Sequence, residues 1–292
     1  MNPAAPNPLV SVVVPTFNRP ESLSVTLESI AAQTYRPLQV IVVNDAGCDA
    51  SSAVDRWRDR LDLTYVTHAE NRGLAAARNT ALREAAGAYV AYLDDDDRFL
   101  PGHVATLVGA MRAQARRAAY ADSLRIELEP DGRGGLREVR RVKVSIPFDR
   151  DRIILKSYLP VQSVMHERSC LDETGGFDES LRHREDWDLW MRLCGRLPFL
   201  HVPEVTSEYF VRINAPSLSN DTQHDFESVR TYLYAKNARF LGAPVDSLLA
   251  RLQEAQRENA ALKSELARIR SRPLFRGWQA VKKWAGRAPP TP

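Results

Sequence analysis

The sequence predicts an α/β protein with a Rossmann-like, mostly parallel sheet, helices on both faces, and a C-terminal helical extension. Three observations carry that reading. Near-continuous apolar runs alternate with helix-patterned segments through the first part of the chain, the pattern of a parallel sheet covered on both sides. Polar and acidic residues gather at the carboxyl ends of those runs. Beyond Pro244 the pattern changes to apolar residues at heptad spacing.

The chain has 292 residues, 44% of them hydrophobic and 26% charged. That is an ordinary soluble composition, long enough for one large domain or two. A net charge of +3 points to no particular partner, although Ser271 to Pro292 holds five basic residues and no acidic one. Cys48, Cys170 and Cys194 are odd in number and far apart, which fits a reducing compartment without disulfides. The start, MNPAAPNP, lacks the charged and apolar regions of a secretory signal. No apolar run approaches 18 residues, so no membrane-spanning segment is expected.

Leu9 to Val14 reads as a buried strand ended by Pro15. Pro20, Glu21 and Ser22 open a helix whose apolar face is Leu23, Leu27 and Ile30. Leu38 to Val43 is a second strand, followed by a polar turn from Asn44 to Asp49. A helix through Val54 and Trp57 and a strand over Leu63 to Val66 come next. Arg72-Gly73 leads into LAAARNTALREAA, a strong helix former that Gly87 should close. Ala88 to Leu93 is the next buried strand, and it runs straight into Asp94, Asp95, Asp96 and Asp97. Pro101 starts a helix with Val104, Leu107, Val108 and Met111 inside. Ala118 to Leu128 reads as a strand, Asp131 to Gly135 as a turn, and REVRRVKV as a basic strand. A less patterned region follows to Pro160. Gly175 to Glu179 is a turn, and His183 to Trp190 opens a further helix.

Right-handed crossovers put the ends of successive parallel strands on one edge, where ligands bind in such sheets. Thr16, Asn18, Asp45 and Asp94 to Asp97 all fall there. Adjacent carboxylates repel and raise one another's pKa, and their oxygens suit Mg²⁺ or Mn²⁺. Taken alone, four aspartates fit a solvated acidic loop equally well. They are not an EF-hand, because counted from Asp94 its glycine and glutamate positions hold Phe99 and Ala105. Neither a Gly-x-Gly-x-x-Gly nor a Walker A pattern occurs, so a dinucleotide site or P-loop is unsupported. Acidic residues opening the helix at Glu185 fit dipole partners as well as chemistry.

Six segments together resemble the family 2 glycosyltransferases, which have the GT-A fold. They are Val12 to Arg19 (VVVPTFNR), Val43 to Asp49 (VNDAGCD), Asn71 to Asn79 (NRGLAAARN), Tyr92 to Asp97 (YLDDDD), Gly175 to Asp178 (GGFD) and Glu185 to Trp190 (EDWDLW). The second departs slightly, with Asn44, Ala46, Gly47 and Cys48 where the family often has Asp, Gly, Ser and Thr. The resemblance covers roughly residues 9–213. It implies a metal-dependent, inverting transfer of a sugar from a nucleotide-diphosphate donor, typically a UDP-sugar, to a hydroxyl acceptor in polysaccharide or glycoconjugate synthesis. By the same resemblance Pro15, Thr16 and Asn18 line the nucleotide pocket, Asp45 bonds the base and Arg78 helps hold the nucleotide. Asp94 and Asp95 lie along the donor, with Asp95 near the ribose. Asp96, with Asp94, would hold Mn²⁺ or Mg²⁺, and Asp186 would be the catalytic base. His166, His183, Arg184 and Glu185, with Tyr209 and Arg212, are candidates for the acceptor side.

The expected organisation is a flexible stretch over 1–8, a nucleotide-sugar half over 9–122 and an acceptor half over 123–240. A coiled-coil helix over 244–272 and a basic amphipathic tail over 273–292 follow. Leu248, Leu252, Ala255, Asn259, Leu262, Leu266 and Ile269 alternate at spacings of four and three. Asn at an a-type position suits a two-stranded coil, so a homodimer is expected; one amphipathic helix packed on the domain is the alternative. Phe275, Trp278, Val281 and Trp284 among basic residues read as a membrane-surface helix or as a docked one. The protein is then cytoplasmic, or held peripherally at the inner face of the membrane. No recognisable nucleic-acid module is present. Two competing readings are a sugar nucleotidyltransferase and a catalytically silent scaffold acting through the coil.

Overall fold

The computed structural model describes residues 6–213 and 223–241, the latter with side chains from Ser228 on, and scattered helical positions between Ala250 and Arg268. The chain divides into two compact units, Met1–Leu241 and Gly242–Pro292. In the second unit Leu262 is the one seam position within the described residues; it is helical and 66% exposed. The other seam positions, the tail over 273–292 and residues 1–5 lie outside the described residues.

The first unit begins with β1 (Val10–Thr16), α1 (Pro20–Ala31), β2 (Leu38–Asn44), α2 (Ser51–Asp55), β3 (Asp62–Thr67), α3 (Leu74–Glu84) and β4 (Tyr89–Tyr92). The four strands lie in the order β3-β2-β1-β4, all parallel. β1, β2 and β4 are almost wholly buried, which is why they read as unbroken apolar runs. α1 starts on Pro20 and buries Leu23, Leu27 and Ile30, as its periodicity requires. Two boundaries differ from expectation. α2 ends at Asp55, and Trp57 is instead carried inward by the turns that follow, with its indole 8% exposed. α3 ends at Glu84 rather than at Gly87. Gly87 has another use: a Cβ there would stand 2.6 Å from the Ser11 amide nitrogen, so its bareness lets the chain enter β4 against β1.

The second half contains β5 (Arg98–Phe99), α4 (His103–Ala113), β6 (Ala118–Pro130), β7 (Leu136–Val144), α5 (Arg150–Leu155), β8 (Val164–Glu167), α6 (Cys170–Thr174), α7 (Glu185–Cys194), β9 (Leu200–Arg212) and α8 (Gln223–Leu241). The sheet continues β4-β8-β6-β9-β5, with β7 off this path and paired to Ser123–Pro130 of β6. Here the pairing is mixed. β8 runs antiparallel to β4 and β6, β7 is antiparallel to β6, and β9 is parallel to β6. β5 and β8 are too short to show a period of two, and β9 carries Pro203. α4 buries Val104, Leu107, Val108 and Met111 as expected. The three cysteines are free. Among the described residues no helix is long and apolar enough to cross a membrane.

Candidate active site

β1 lies between β2 and β4, so the chain turns away in opposite directions on either side of its carboxyl end. A crevice opens at such a point. Here it is a cleft of about 750 Å³ lined by Pro15, Thr16, Phe17 and Arg19 after β1, by Asp45 after β2, by the Asn71–Ala75 segment, by Asp94 to Asp96, and by Glu179 to His183. Five of the sequence-derived donor residues, Pro15, Thr16, Asp45, Asp94 and Asp95, meet on its wall together with Asp96.

The loops are held by polar side chains. Asn18, with φ of 58°, accepts from the Cys48 amide at 2.8 Å. It is absent from the cleft wall, so its part is to join the β1 and β2 loops. Gly47 allows this approach, since a Cβ there would be 2.5 Å from the Asn18 nitrogen. Asp45 is 4% exposed. Its Oδ1 meets His68 Nδ1 at 2.7 Å and the Arg72 amide at 2.9 Å, and its Oδ2 takes the Gly73 amide at 2.7 Å. Three acceptor positions of this carboxylate therefore build the turn into α3.

The aspartate run divides by environment. Thr16 Oγ1 donates to Asp95 Oδ2 at 2.7 Å. Arg19 Nη1 bridges Asp95 Oδ1 at 3.1 Å and Asp96 Oδ2 at 2.6 Å. Burial pushes the Asp95 carboxyl up to about 6, against the pull of Thr16 and Arg19. Asp96 is raised by the same burial and less by its neighbours, again opposed by Arg19. Asp97 is turned inward and accepts from the Phe210 amide at 3.1 Å. Burial first, and then the neighbouring aspartates, raise it well above the ordinary value.

Arg78 is buried behind the cleft wall rather than on it. Its side chain is 2% exposed and lies outside the cleft wall. One end of the guanidinium meets Asp94 Oδ1 at 2.6 Å and the other meets Glu185 Oε1 at 2.5 Å. A surface arginine and a buried one look alike on an Ala-rich helix; only the fold separates them. Glu185 is correspondingly removed from the acceptor side, being 4% exposed and committed to Arg78. His166 is removed too: it is fully buried on β8, bonded to the Tyr92 hydroxyl at 2.7 Å and the Glu167 carbonyl at 2.7 Å. Its burial pushes the imidazole down to about 4, so it stays neutral. His183 does line the cleft. Arg184 has φ of 65° and sets the start of α7.

Asp186 stands in the first turn of α7, partly open, and accepts from the Trp187 amide at 2.7 Å. It feels Glu185, Arg78 and Asp94. Burial and then the Glu185 charge push its carboxyl up to about 7, against Arg78. Asp188, two residues on, is fully buried and takes two bonds from Arg192, at 3.1 and 2.7 Å. The two carboxylates of the same helix turn thus face different surroundings. Phe17, Arg19, Arg72 and Glu179 also line the cleft and were not singled out from the sequence. Phe17 and Arg19 lie inside the VVVPTFNR segment and Arg72 inside NRGLAAARN; Glu179 declares itself only by meeting Arg72 at 3.0 Å.

A sequence profile described as glycosyl transferase family 2 matches residues 11–166. The chain belongs to glycosyl transferase family 2. An uncharacterized glycosyltransferase of Bacillus subtilis, YwdF, is 32% identical over 195 residues, 66% of this transferase and 71% of the relative. An uncharacterized glycosyltransferase of Rickettsia typhi, RT0329, is 24% identical over 236 residues, 78% of this chain and 68% of its own. Among solved structures, S. aureus TarS 1-349 in complex with UDP is similar with a TM-score of 0.54 and 23% identity, over 69% of this chain and 60% of that one. The mannosyltransferase PcManGT of Pyrobaculum calidifontis, in complex with GDP-Man and Mn²⁺, is similar with a TM-score of 0.52 and 22% identity, over 96% of this chain and 85% of that one. These likenesses show the GT-A fold, as the sequence predicts.

Proposed function

We propose that the transferase moves a sugar from a nucleotide-diphosphate donor to a hydroxyl acceptor, with Asp186 as general base and inversion at the anomeric carbon. The observation that carries this is the position of Asp186. It is a carboxyl raised toward neutrality, joined through Glu185 and Arg78 to the aspartate run that lines the cleft. A base poised near the working pH is the arrangement general-base catalysis favours. The structurally similar TarS and PcManGT are in complex with UDP and GDP-Man respectively; a uridine nucleotide is our first choice for this chain. The base and ribose would enter between Phe17 and the Asp45 turn, with Asp95 toward the ribose. Asp45 retains room for one further bond beyond the three it accepts.

The donor set fits a divalent cation. Asp95 and Asp96 are carboxylates raised by burial and then by neighbouring aspartates, and a hard cation would relieve both. Among the described residues no group of three or more His, Cys, Asp or Glu side chains could hold a metal. That suits Mg²⁺ or Mn²⁺ held by one or two carboxylates and completed by phosphates. Asp96, with Asp94 beside it, would hold the ion, which would neutralise charge developing on the leaving diphosphate. The protein's own part is to hold donor and acceptor together, and to take the acceptor proton on a free oxygen of Asp186. His183 and Arg184, with Tyr209 and Arg212, remain our acceptor-side proposals. A second copy of the chain pairing along the C-terminal seam is our proposal for the extension.

Four outcomes follow. Asp186→Asn should lower transfer by roughly 10²–10⁴-fold with little change in donor affinity. The wild-type rate should rise with pH, reach half its plateau at about 7 and level off only above that, because the unprotonated form is the competent one and burial raises the pKa to about 7. Near-normal transfer by the variant, or a rate that falls as pH rises from 5 to 7, would reject the base. Asp96→Ala should abolish the Mn²⁺-dependent part of UDP binding in calorimetry; an unchanged Mn²⁺ dependence would reject the metal assignment. Deleting residues 244–292 should turn a dimer into a monomer in light scattering and end sedimentation with anionic vesicles, with donor hydrolysis retained. A truncated chain that stays dimeric would move the interface into the catalytic domain.

A further inference from the structure

Glu179 to His183 line the cleft, within the stretch from Asp178 to Arg184, and Asp186 follows on α7. Two carboxylates frame this stretch. Asp178 opens it and Asp188 lies in the second half of the first α7 turn. Both reach the same cation from another element. Lys236 Nζ on α8 donates to Asp178 Oδ2 at 2.6 Å and to Asp188 Oδ2 at 2.9 Å. One turn earlier on α8, Tyr232 donates to Asp178 at 3.2 Å, and the adjacent Asn237 donates to Asp188 Oδ1 at 2.8 Å. Residues four apart share a helix face, so Tyr232 and Lys236 form one edge of α8 turned to the cleft turn.

Asp188 already has two bonds from Arg192, so Lys236 is not its sole cation. Asp178 takes the Ser180 amide at 2.9 Å and hydroxyl at 2.7 Å on Oδ1, and the Lys236 ammonium on Oδ2. The lysine's distinct contribution is to join the two ends of the segment that carries Glu179 to His183 and Asp186. Asp178 feels it: burial pushes its carboxyl up, but the bonds from Lys236 and Ser180 hold it well below the usual carboxylate range. The opposite edge of the segment is fixed to α3 through Glu179, which meets Arg72 and Asn79, both at 3.0 Å. α3 reaches the turn through Asn79 and α7 through Arg78, by separate side chains, whereas Lys236 joins the turn and α7 through one ammonium group.

We propose that Lys236 is a positioning residue, holding the cleft turn and the α7 helix in one register so that Asp186 meets the acceptor hydroxyl; this rests on Asp186 being the base. It touches no reacting atom. Its loss should therefore appear in turnover rather than in nucleotide binding, since the β1, β2 and α3 side of the cleft does not contact it. A displacement of about 1 Å in a reacting group can cost about 10²-fold.

The test compares the full-length chain with Lys236→Met, Lys236→Arg and Val54→Ala, the last a core truncation on α2 that lowers Tm without touching the site. All are assayed below their Tm. Lys236→Met should lower kcat for transfer by roughly 10–100-fold, with the Kd for UDP unchanged within roughly threefold. Lys236→Arg, which can still span two carboxylates, should recover most of kcat, and Val54→Ala should keep it. Wild-type kcat in Lys236→Met, no recovery in Lys236→Arg, or an equal loss in Val54→Ala would overturn the proposal while leaving Asp186 in its role. A wild-type rate that Asp186→Asn does not change would overturn the base and this proposal together.

Discussion

Arg78 carries its charge inside the protein, between Asp94 from the first half of the catalytic unit and Glu185 from the second. A buried guanidinium is costly unless it is paired and hydrogen-bonded. Here the opposed carboxylates keep it firmly protonated even though burial alone would pull its pKa down. Removing either partner would strand a charge, so the three residues stand or fall as a group. The face of the guanidinium lies 5.3 Å from the Phe177 ring, which fixes its plane. Through this triad the end of β4 and the start of α7 become one rigid object, although they lie about ninety residues apart in the chain.

The remaining polarity of the cleft is arranged around that object. Asp94 faces Arg78 and Asp97 faces the backbone of β9, so Asp95 and Asp96 are the members of the run turned toward Thr16 and Arg19. Asp45 is spent largely on the turn into α3. On α7, Asp186 is left partly open while Asp188 is sealed by Arg192, Lys236 and Asn237. Equivalent-looking carboxylates are thereby sorted into roles by environment, as the shifts of Asp95 and Asp186 record.

Much of this was legible in the residues. The apolar runs of β1, β2 and β4, the faces of α1 and α4, and the gathering of Thr16, Asp45 and Asp94 to Asp96 at one edge follow from periodicity and handed crossovers. What stayed hidden depended on long-range contact. β5 has two residues and β8 four, too few to show alternation. His166 looks like a pocket residue until β8 is seen to pass between β4 and β6, where a neutral imidazole completes the Tyr92 hydroxyl. Arg78 and Glu185 look like ligand contacts until each is found to be the other's partner. Lys236 has no local signal at all; it is one lysine on a helix of ordinary composition.

The dependence of the site on Arg78 can be measured with a double-mutant cycle on the transfer rate, using Asp94→Asn, Glu185→Gln and the pair together. Residues that act through one shared partner are not independent. We expect each single change to slow transfer and the double variant to be far less impaired than the product of the two, with a coupling of roughly 1–3 kcal/mol. Effects that simply multiply would mean that Asp94 and Glu185 serve separate ends, and that the buried arginine does not join the donor strand to the base.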